Sequence, residues 1–467
     1  MEFSSSEENQ SFSLTKFESM LKTNNVFFFD SNEFENIIHH YLEIGKIALA
    51  KKAIKLGLDQ HPTSINLRLF RVEILIFENK LSEAVKLLNM LFELEPNNEE
   101  LYIQKANIHS KRDQHEEAIK VFKQALKVSN DSSEIHSLIG MEYLFLDNYE
   151  AAKIHFKKCI DLNIEDYSSL YNIIYCFEFL DQNQEAIDYL NWYLDHNPYC
   201  EVAWHQLGKQ YLEIKDLNKA LTAFDFAIIS DDTFIGAYLE KAKALERLNR
   251  FKEAIDNYNI SMAIEGPTAF TYLKIGGCYE KIHHKDKALK YFFKSVKEDP
   301  AFDKGWIQIA HFYFSKKDDL KALFYVNKAI DIDDENLNYW LFYSKTNHRL
   351  NYLEEAERGF KKTLELGGTS LDTWIHRGDV LIELGEIEAA KYNFVQALKY
   401  YPKSEELEFR LSGLCFKLND AEAGFAHLLN GLHINSEHIF IIEELFPDVY
   451  KSQNVIQFIE SYRKSDN

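Results

Sequence analysis

A small residue recurs at every 34th position through most of this chain. The recurring residues are Ala50, Ala84, Ala118, Ala152, Ala186, Ala220, Ala254, Ala288, Ala322, Ala356, Ala390 and Gly424. No insertion or deletion breaks the register, which indicates tandem units of one length and one internal design. Counted from Ser31, the units run 31–64, 65–98 and onward to 405–438, with the small residue at the twentieth position of each. The 467 residues are therefore predicted to form one repeat array rather than several globular domains.

Each unit contains two amphipathic stretches with a helical period. In the second half of the unit at 201–234, Phe224 follows Ala220 after four positions, and Ala227 comes three positions later. The first half of the same unit carries Trp204, Leu207, Gly208 and Tyr211. Steps of three and four residues place side chains on one face of a helix. Each unit is thus predicted to be a pair of helices that approach closely where Gly208 and Ala220 leave room.

Helix-breaking residues mark the end of the units. Proline occupies position 32 at Pro62, Pro96, Pro198, Pro300 and Pro402. Aspartate or glycine takes this position in other units, at Asp232, Asp334, Gly266 and Gly368. Because proline cannot continue a helix and also restricts the residue before it, the chain is predicted to turn here into the next unit.

Together these features resemble a known helical repeat. The 34-residue period, the run Trp-x-x-Leu-Gly-x-x-Tyr at 204–211, the later small and bulky residues and the closing Pro or Asp are similar to the tetratricopeptide repeat (TPR). The resemblance covers 31–438, about twelve units. It implies an all-α fold, a right-handed superhelical solenoid of antiparallel helix pairs. Related 35-residue RNA-reading repeats fit less well, because the spacing is strictly 34 and the chain is acidic. Arg68 and Glu408 replace the first bulky residue and are expected to weaken the second and last units.

The segments outside the repeats are short. Residues 1–30 are expected to be partly disordered. The disorder is predicted over residues 1–12, and a short helix is predicted from Thr15 to about Lys22. We interpret the following stretch, Val26-Phe27-Phe28-Phe29, as an apolar anchor that covers the first unit; a partner-binding motif is the alternative. Residues 439–467 are expected to form two capping helices, separated at Pro447. No linker is visible, so 31–467 is predicted to be one continuous structure.

The net charge and the cysteines of the chain restrict the partners and the cellular compartment that we expect for the protein. The formal net charge of −21 disfavours contact with phosphate backbones and anionic headgroups, so neither nucleic acid nor a membrane is expected as a partner. The five cysteines lie far apart without a CxxC pair, which favours a reducing compartment. The N-terminus lacks the pattern of a secretory signal and no stretch is long and apolar enough to cross a membrane. A soluble, cytoplasmic protein is predicted.

The sequence carries no motif for catalysis or cofactor binding. HExxH, GxxxxGK[ST], GxSxG and GxGxxG are all missing. The candidate metal ligands are the pairs His39-His40 and His283-His284 and the acidic group Asp331, Asp333 and Asp334. Adjacent histidines diverge by about 100° on a helix, and the aspartates lack the spacing of a calcium loop. The sequence therefore predicts no catalytic residue, no cofactor and no metal, and a protein that is not an enzyme.

The resemblance implies that the first helix of each unit lines the concave face of the solenoid. Helical geometry puts positions 2, 5, 9, 12 and 13 opposite the core. In the fourth and fifth units these positions are apolar: Met141, Leu144, Phe145, Tyr171, Tyr175 and Phe179. In the seventh to tenth units basic residues outnumber Glu246 and Glu280: Lys243, Arg247, Lys281, Lys304, Lys345 and Arg349. The first set predicts an aromatic contact site, and the second predicts a basic groove for an acidic peptide or a terminal carboxylate. For the aromatic contact site, the alternative is that neighbouring helices bury these residues. For the basic groove, the alternative is that the basic residues pair internally with glutamate.

A binding scaffold is the function that these patterns favour. The lysine, asparagine and arginine clamp with which some relatives hold a C-terminal carboxylate is not expected, because the corresponding positions hold Glu35, His39, Phe70, Glu100 and Gln104. We predict a non-enzymatic scaffold or adaptor that binds a protein or peptide in its concave groove. The alternatives are a peptide-sensing regulatory protein and an enzyme subunit with an unrecognised site. No motif identifies the partner, the pathway or the oligomeric state.

Overall fold

Helices form all the regular structure of the described residues, which are 2–23, 27–129 and 132–465, with side chains described for 13–23, 27–129 and 132–463. The structure is a computed structural model. An N-terminal helix, α1 (Glu2–Thr23), precedes twelve helix pairs within this part of the chain. The pairs are α2 (Ser31–Glu43) with α3 (Ile47–Gln60), α4 (Ile65–Phe77) with α5 (Leu81–Leu94), α6 (Glu99–Ser110) with α7 (His115–Ala125), α8 (Ser133–Phe145) with α9 (Tyr149–Leu162), α10 (Tyr167–Phe179) with α11 (Asn183–His196), α12 (Glu201–Glu213) with α13 (Leu217–Ser230), α14 (Ile235–Arg247) with α15 (Phe251–Glu265), α16 (Ala269–Lys281) with α17 (Lys285–Glu298), α18 (Asp303–Ser315) with α19 (Asp319–Ile332), α20 (Leu337–Arg349) with α21 (Leu353–Glu365), α22 (Leu371–Glu383) with α23 (Ile387–Tyr400), and α24 (Glu405–Lys417) with α25 (Ala421–Asn435).

The helix boundaries repeat the sequence period. Every first helix begins at the first residue of a 34-residue unit and every second helix begins at the seventeenth, from Ser31 and Ile47 to Glu405 and Ala421. The predicted all-α array of antiparallel helix pairs is therefore confirmed. The helices group into two compact parts, which we call the N-terminal unit (residues 1–234, with α1–α13) and the C-terminal unit (residues 235–467, with the remaining helices).

Close helix crossings build the core of each pair, as predicted. Ala220 and Phe224 are fully buried. A Cβ atom added to Gly208 would lie only 2.4 Å from the Phe224 ring, so this position can hold no side chain without displacing the ring. Gly276 stands in the same relation to Phe292 in the C-terminal unit, at 2.5 Å.

The turn inside each pair has a left-handed residue. This residue occupies position 15 of all twelve units: Gly45, Asn79, Asp113, Asp147, Asp181, Lys215, Asn249, His283, Lys317, Asn351, Gly385 and Asn419. A left-handed residue after a helix lets the chain reverse direction at once and satisfies the last helical carbonyls. The close antiparallel packing of each pair thus begins at this turn.

The first bulky side chain of several units also fixes the loop before it. The Nε1 atoms of Trp204 and Trp306 donate hydrogen bonds to the carbonyl oxygens of Pro198 (2.8 Å) and Pro300 (2.9 Å). Arg68 donates in the same way to Pro62, at 2.6 Å. A guanidinium can therefore replace the indole N–H as the donor at this position, and the expected weakening of the second unit stays a prediction.

At the N-terminus, α1 is longer than the short helix expected from Thr15. No proline or glycine interrupts residues 2–23, and helical backbone extends through 2–12, which the sequence suggested would be disordered. After α1, Phe29 is fully buried against Phe34, with 5.3 Å between the ring centroids, while Phe28 is 64% exposed. Val26, the first residue of the apolar stretch, lies outside the described residues.

The C-terminal segment packs on the last helix pair. It comprises a 3₁₀ turn at Ser436–Ile439 and the helices α26 (Phe440–Leu445), α27 (Pro447–Tyr450) and α28 (Gln453–Ser465). Phe446 is buried where a Cβ atom on Gly413 would lie 2.1 Å from its ring. Pro447 begins a one-turn helix, so the last long helix starts only at Gln453 and the segment after Pro447 contains two helices where the sequence predicted one.

Candidate functional site

An exposed group of aromatic rings lies on α10 and its neighbours in the N-terminal unit. Tyr171 and Tyr175 are each 43% exposed and Phe179 is 57% exposed. The Phe179 ring lies 4.6 Å from Tyr175 and stacks on Tyr149 at 4.7 Å. We call Tyr171, Tyr175 and Phe179 the aromatic strip. Ring contacts with each other and with Tyr149 hold Tyr175 and Phe179 without burying them, so an apolar surface faces solvent.

Polar groups of α12 border the aromatic strip. Gln210 donates to Glu178 on α10 at 3.0 Å, and Lys209 approaches the same carboxylate at 3.9 Å. The Oε1 atoms of the buried Gln206 and Gln210 accept no hydrogen bond from the described protein groups. Burial raises the pKa of the Tyr171 hydroxyl, although a hydrogen bond from Gln206 opposes the shift. The strip thus has an apolar centre and an amide-rich edge.

On the apolar continuation of this surface, α8 contributes Met141, Leu144 and Phe145. Met141 and Phe145 are exposed, and Leu144 is half-buried. The Phe145 ring stacks on His115 at 5.1 Å. Neighbouring helices therefore leave Met141 and Phe145 exposed and cover Leu144 in part.

The predicted basic residues lie in the C-terminal unit and differ in their pairing. Lys243 forms an ion pair with Glu240 at 2.6 Å. Arg349 pairs with Asp319 at 2.9 Å, and its guanidinium lies 3.9 Å from the centre of the Phe314 ring. Internal pairing, the alternative reading of this surface, therefore holds for Lys243 and Arg349.

Other basic residues of this set remain open to solvent. Arg247, Lys281 and Lys304 are exposed, and Lys345 is half-buried. Arg247 and Lys281 line one open cleft of about 620 Å³, which also contains Glu246 and Glu280. The basic character of this face therefore rests on Arg247, Lys281, Lys304 and Lys345.

A third surface, which the sequence analysis did not assign, is an acidic cleft in the N-terminal unit. It has a volume of about 500 Å³ and lies among the first helices α2, α4, α6 and α8. Its lining residues are Glu35, His39, Asn66, Leu69, Phe70, Glu73, Glu100, Ile103, Gln104, Asn107, Glu134 and Leu138. Five of them are the residues that the sequence analysis named only to exclude a clamp for carboxylates.

The acidic cleft holds carboxylates close to one another. Burial, followed by repulsion from Glu100, raises the pKa of Glu73, and His39 opposes this shift. Burial also raises the pKa of Glu100, against a hydrogen bond from Gln104, with Glu134 and Glu99 adding to the rise. Negative charge in this cleft is therefore only partly compensated within the protein.

The cysteines are buried and weakly acidic. Burial raises the pKa of the Cys176 thiol to about 11 and that of Cys278 to about 12. All five are free and buried. A thiol with a raised pKa is a poor nucleophile, so these side chains act as core residues.

A buried histidine pair is the other cluster with unusual protonation. Nδ1 of His136 lies 3.0 Å from Nδ1 of His155, and one ring donates to the other. Burial and the neighbouring His136 lower the pKa of His155 to about 4.

Over the described side chains, no group of three or more His, Cys, Asp or Glu is arranged to hold a metal ion. No helix in the described part of the chain has the length and apolar composition needed to span a membrane.

Comparisons with known proteins agree with the helix pairs. The family model of the tetratricopeptide repeat matches residues 99–132, 133–163, 303–336 and 371–404, which begin at α6, α8, α18 and α22. The chain is 27% identical over 187 residues to anaphase-promoting complex subunit 3 of Schizosaccharomyces pombe, a match that covers 40% of this chain and 28% of that protein. It is 23% identical over 369 residues to a TPR repeat-containing protein of Methanocaldococcus jannaschii, covering 74% of this chain and 61% of the other. The chain thus spans less than two thirds of the length of both relatives.

Among solved structures, a tetratricopeptide repeat protein from Parabacteroides merdae is similar with a TM-score of 0.40 and 15% identity. That match covers 53% of this chain and 97% of the other.

Proposed function

We propose that this chain of tetratricopeptide repeats is a protein-interaction scaffold that binds a segment of a partner protein on the aromatic strip. The proposal rests on one observation: Tyr171, Tyr175 and Phe179 remain between 43% and 57% exposed, and ring contacts with each other and with Tyr149 hold Tyr175 and Phe179 in place. Exposed, preorganised aromatic side chains supply much of the binding energy at protein interfaces. The repeat family and the similar anaphase-promoting complex subunit support an interaction role.

The border of the aromatic strip suggests how a partner would be oriented. An apolar side chain of the partner would cover the rings, while polar groups at the edge would meet Glu178 and Lys209. Binding by such a strip is driven mainly by apolar burial, so it should depend only weakly on salt.

A comparison of two double variants tests this function. Tyr171→Ala with Tyr175→Ala removes the centre of the strip, whereas Tyr199→Ala with Tyr392→Ala removes two exposed tyrosines elsewhere. Proteins that co-purify with each variant from the native cell would be quantified by mass spectrometry, and the main partner would be titrated in purified form. We expect the strip variant to weaken binding about tenfold or more and the control to leave it unchanged. Equal loss in both variants, or in neither, would reject the strip as the binding surface.

The basic residues are a second candidate contact surface, for an acidic partner. Arg247, Lys281 and Lys304 are exposed, which favours this surface, while the ion pairs of Lys243 and Arg349 reduce its net charge. Replacing the three exposed bases by glutamate should weaken a partner held here, and added salt should do the same to the parent protein. A partner that loses affinity with the tyrosine variants alone does not use this surface.

A further inference from the structure

A row of lysines covers the outward side of α17 in the C-terminal unit. Steps of three, four and three residues place the lysines on one side of the helix, over a length of about 15 Å. The buried residues of α17, among them Phe292 and Val296, lie on the other side. Between positions 281 and 297 the sequence has six lysines and one acidic residue, Asp286, although the net charge of the chain is −21. We call this row the lysine face, and its members are Lys287, Lys290, Lys294 and Lys297.

The repeat does not require lysine at these positions. The packing of a helix pair constrains the inner side of the second helix, whereas the outward side is free to vary. Lys290 and Lys297 are exposed, and Lys294 is half-buried. The lysine face is therefore a property of this unit and not of the fold. The equivalent positions of α15, one unit earlier, hold Glu253, Asp256, Ile260 and Ala263.

Lys287 lacks an ion pair that the equivalent lysines of two other units form. Lys219 pairs at 3.4 Å with Asp216, the N-cap residue of its helix. Lys321 pairs in the same way with the N-cap residue Asp318, at 2.7 Å. A histidine is the N-cap residue of α17, and Lys287 has no ion pair with a carboxylate of the described residues. Its ammonium group is therefore available to a carboxylate from outside the chain.

Tyrosine rings hold two of the lysines in place. The Nζ atom of Lys287 lies 5.3 Å from the centre of the Tyr279 ring. The Nζ atom of Lys294 lies 4.6 Å from the centre of Tyr291 and 5.2 Å from that of Tyr272. A ring contacts one side of an ammonium group and leaves its other N–H donors open to an acceptor. Both charges are thus positioned before a partner binds, which reduces the entropy lost on binding.

We propose that the lysine face binds an acidic segment of a partner protein, whose aspartate or glutamate carboxylates pair with the four lysines. The lysines follow one another at about 4.5–6 Å along the helix axis. Carboxylates on successive turns of a helix, or at alternate residues of an extended segment, are spaced by about 5–7 Å and match this spacing. The ring-bound ammonium groups of Lys287 and Lys294 supply the fixed part of the site.

A short acidic segment suits this face better than a larger anionic surface does. Such a segment contacts the lysine face alone, whereas a nucleic acid or an anionic membrane also meets the rest of a chain with a net charge of −21. The lysine face shares no residue with the aromatic strip or with Arg247, Lys281 and Lys304. The inference therefore stands whether or not those surfaces bind a partner.

The test uses the full-length chain and two fluorescein-labelled peptides. One peptide has glutamate at every second position, with alanine and serine between, and the other has glutamine in place of glutamate. Fluorescence anisotropy at low and high salt follows binding. We expect the glutamate peptide to bind, more weakly as salt is added, and the glutamine peptide not to bind. Equal binding of both peptides, or no binding of the glutamate peptide at low salt, would overturn the proposal.

Two quadruple variants then locate the binding surface. One replaces the four residues of the lysine face by glutamine, and the control replaces four exposed lysines elsewhere in the C-terminal unit. We expect the first variant to weaken the glutamate peptide about tenfold and the control to change its affinity about twofold or less. A similar loss in both would show that the charge of the whole chain, and not this face, sets the affinity. Circular dichroism melts confirm that both variants are folded. The control substitutions are Lys252→Gln, Lys361→Gln, Lys403→Gln and Lys451→Gln.

Two further measurements separate the lysine face from other modes of binding. A variant with Arg247→Gln, Lys281→Gln and Lys304→Gln should keep the affinity for the glutamate peptide within about twofold. If this variant loses the peptide and the lysine-face variant does not, the first helices bind it and the proposal is wrong. Labelled oligouridine and vesicles that contain phosphatidylserine should bind the parent more weakly than the peptide does. Tighter binding of either, lost in the lysine-face variant, would assign the face to phosphate groups and reject an acidic protein segment.

Discussion

At the scale of single residues, the turn inside each helix pair requires a left-handed backbone conformation at one position. Position 15 is left-handed in all twelve units, yet it is glycine only at Gly45 and Gly385. Asparagine and aspartate fill seven of the others, and both tolerate this conformation because their short side chains bond locally. The recurrence of Gly, Asn and Asp at this register was visible in the sequence, whereas Lys215, His283 and Lys317 concealed it. A strict repeat imposes the conformation even where the residue type does not favour it.

Replacing Lys215 or Lys317 by glycine should therefore stabilise the protein. The left-handed conformation costs a residue with a Cβ atom about 1–2 kcal/mol, and glycine avoids most of this cost while losing more entropy on folding. We expect a net gain of about 0.5–1 kcal/mol for each, and almost none for Asn249→Gly, which serves as the control. Urea unfolding midpoints measure the difference. A loss of stability in both lysine variants would mean that their side chains make contacts worth more than the strain.

A second residue-scale comparison concerns two tryptophans at position 4. Trp204 donates to the Pro198 carbonyl at 2.8 Å, whereas the buried Nε1 of Trp374 has no acceptor among the described groups. Gly368 stands at position 32 in front of Trp374, where Pro198 stands in front of Trp204, so the loop differs. Trp204 and Trp374 share one position of the repeat, so the pattern assigns them the same role and does not show that one of them lacks its bond.

Phenylalanine at these two positions separates the hydrogen bond from the packing. Both variants replace an indole by the smaller phenyl ring. Trp204→Phe also leaves the Pro198 carbonyl without its donor, whereas Trp374→Phe removes an unsatisfied buried N–H. We expect Trp204→Phe to cost about 1 kcal/mol more than Trp374→Phe in free energy of unfolding. Equal costs would show that water or loop movement replaces the bond. Denaturant titration monitored by circular dichroism gives the comparison.

At the scale of helices, the sequence predicted positions with unusual accuracy because the period leaves no freedom. Each first helix starts at a unit boundary counted from Ser31, and each buried small residue lies at the predicted crossing. The prediction failed where the period ends: α1 is longer than expected, and the segment from Pro447 onward contains two helices where one was predicted. Outside the array, the local residue preferences alone determine where a helix begins or ends, because no equivalent units repeat the boundary.

Adjacent glycines on α16 test the crossing directly. A Cβ atom at Gly276 would lie 2.5 Å from Phe292, whereas one at Gly277 would meet no atom within 4 Å. Gly276→Ala should therefore destabilise the protein by about 1–3 kcal/mol through overpacking. Gly277→Ala should stabilise it by about 0.5–1 kcal/mol, because alanine is the better helix former. The two thermal or urea transitions should shift in opposite directions, and a shift in the same direction would place the crossing elsewhere on the helix.

At the scale of the whole molecule, the position of charge was harder to predict than the position of helices. The sequence indicated which residues face away from the core, but not which of them find partners. Lys243 and Arg349 were counted toward a basic groove, with internal pairing as the alternative, and both are paired. Glu100, which the sequence analysis named only to exclude a carboxylate clamp, shares a cleft with Glu73. Arg349 pairs with Asp319 of the preceding 34-residue unit, and a one-dimensional register does not contain such a contact. Lys243, by contrast, pairs with Glu240 three residues earlier on its own helix. A net charge of −21 likewise says nothing about where repulsion is concentrated.

The acidic cleft gives the whole protein a pH dependence with a definite sign. The folded state raises the pKa of Glu73 and Glu100 above the ordinary value of 4.5, through burial first and neighbouring carboxylates second. A raised pKa means that the folded state binds protons more tightly than the unfolded state does. The stabilising contribution is then complete below the ordinary pKa and is lost as the pH rises through the folded-state values. Where both carboxylates are ionised, they repel each other within the folded protein.

Glu73→Gln with Glu100→Gln should therefore unfold at a higher urea concentration than the parent at about pH 8, and the advantage should shrink toward about pH 4. Glutamine keeps the size of the side chain and can still accept the hydrogen bond from Gln104. Glu93→Gln with Glu116→Gln removes the same charge from exposed helix positions and controls for the general repulsion of an acidic chain. We expect the control to gain less than the cleft variant at high pH. If the cleft variant is less stable than the parent at about pH 8, or if its advantage grows on acidification, Glu73 and Glu100 are already compensated in the free protein.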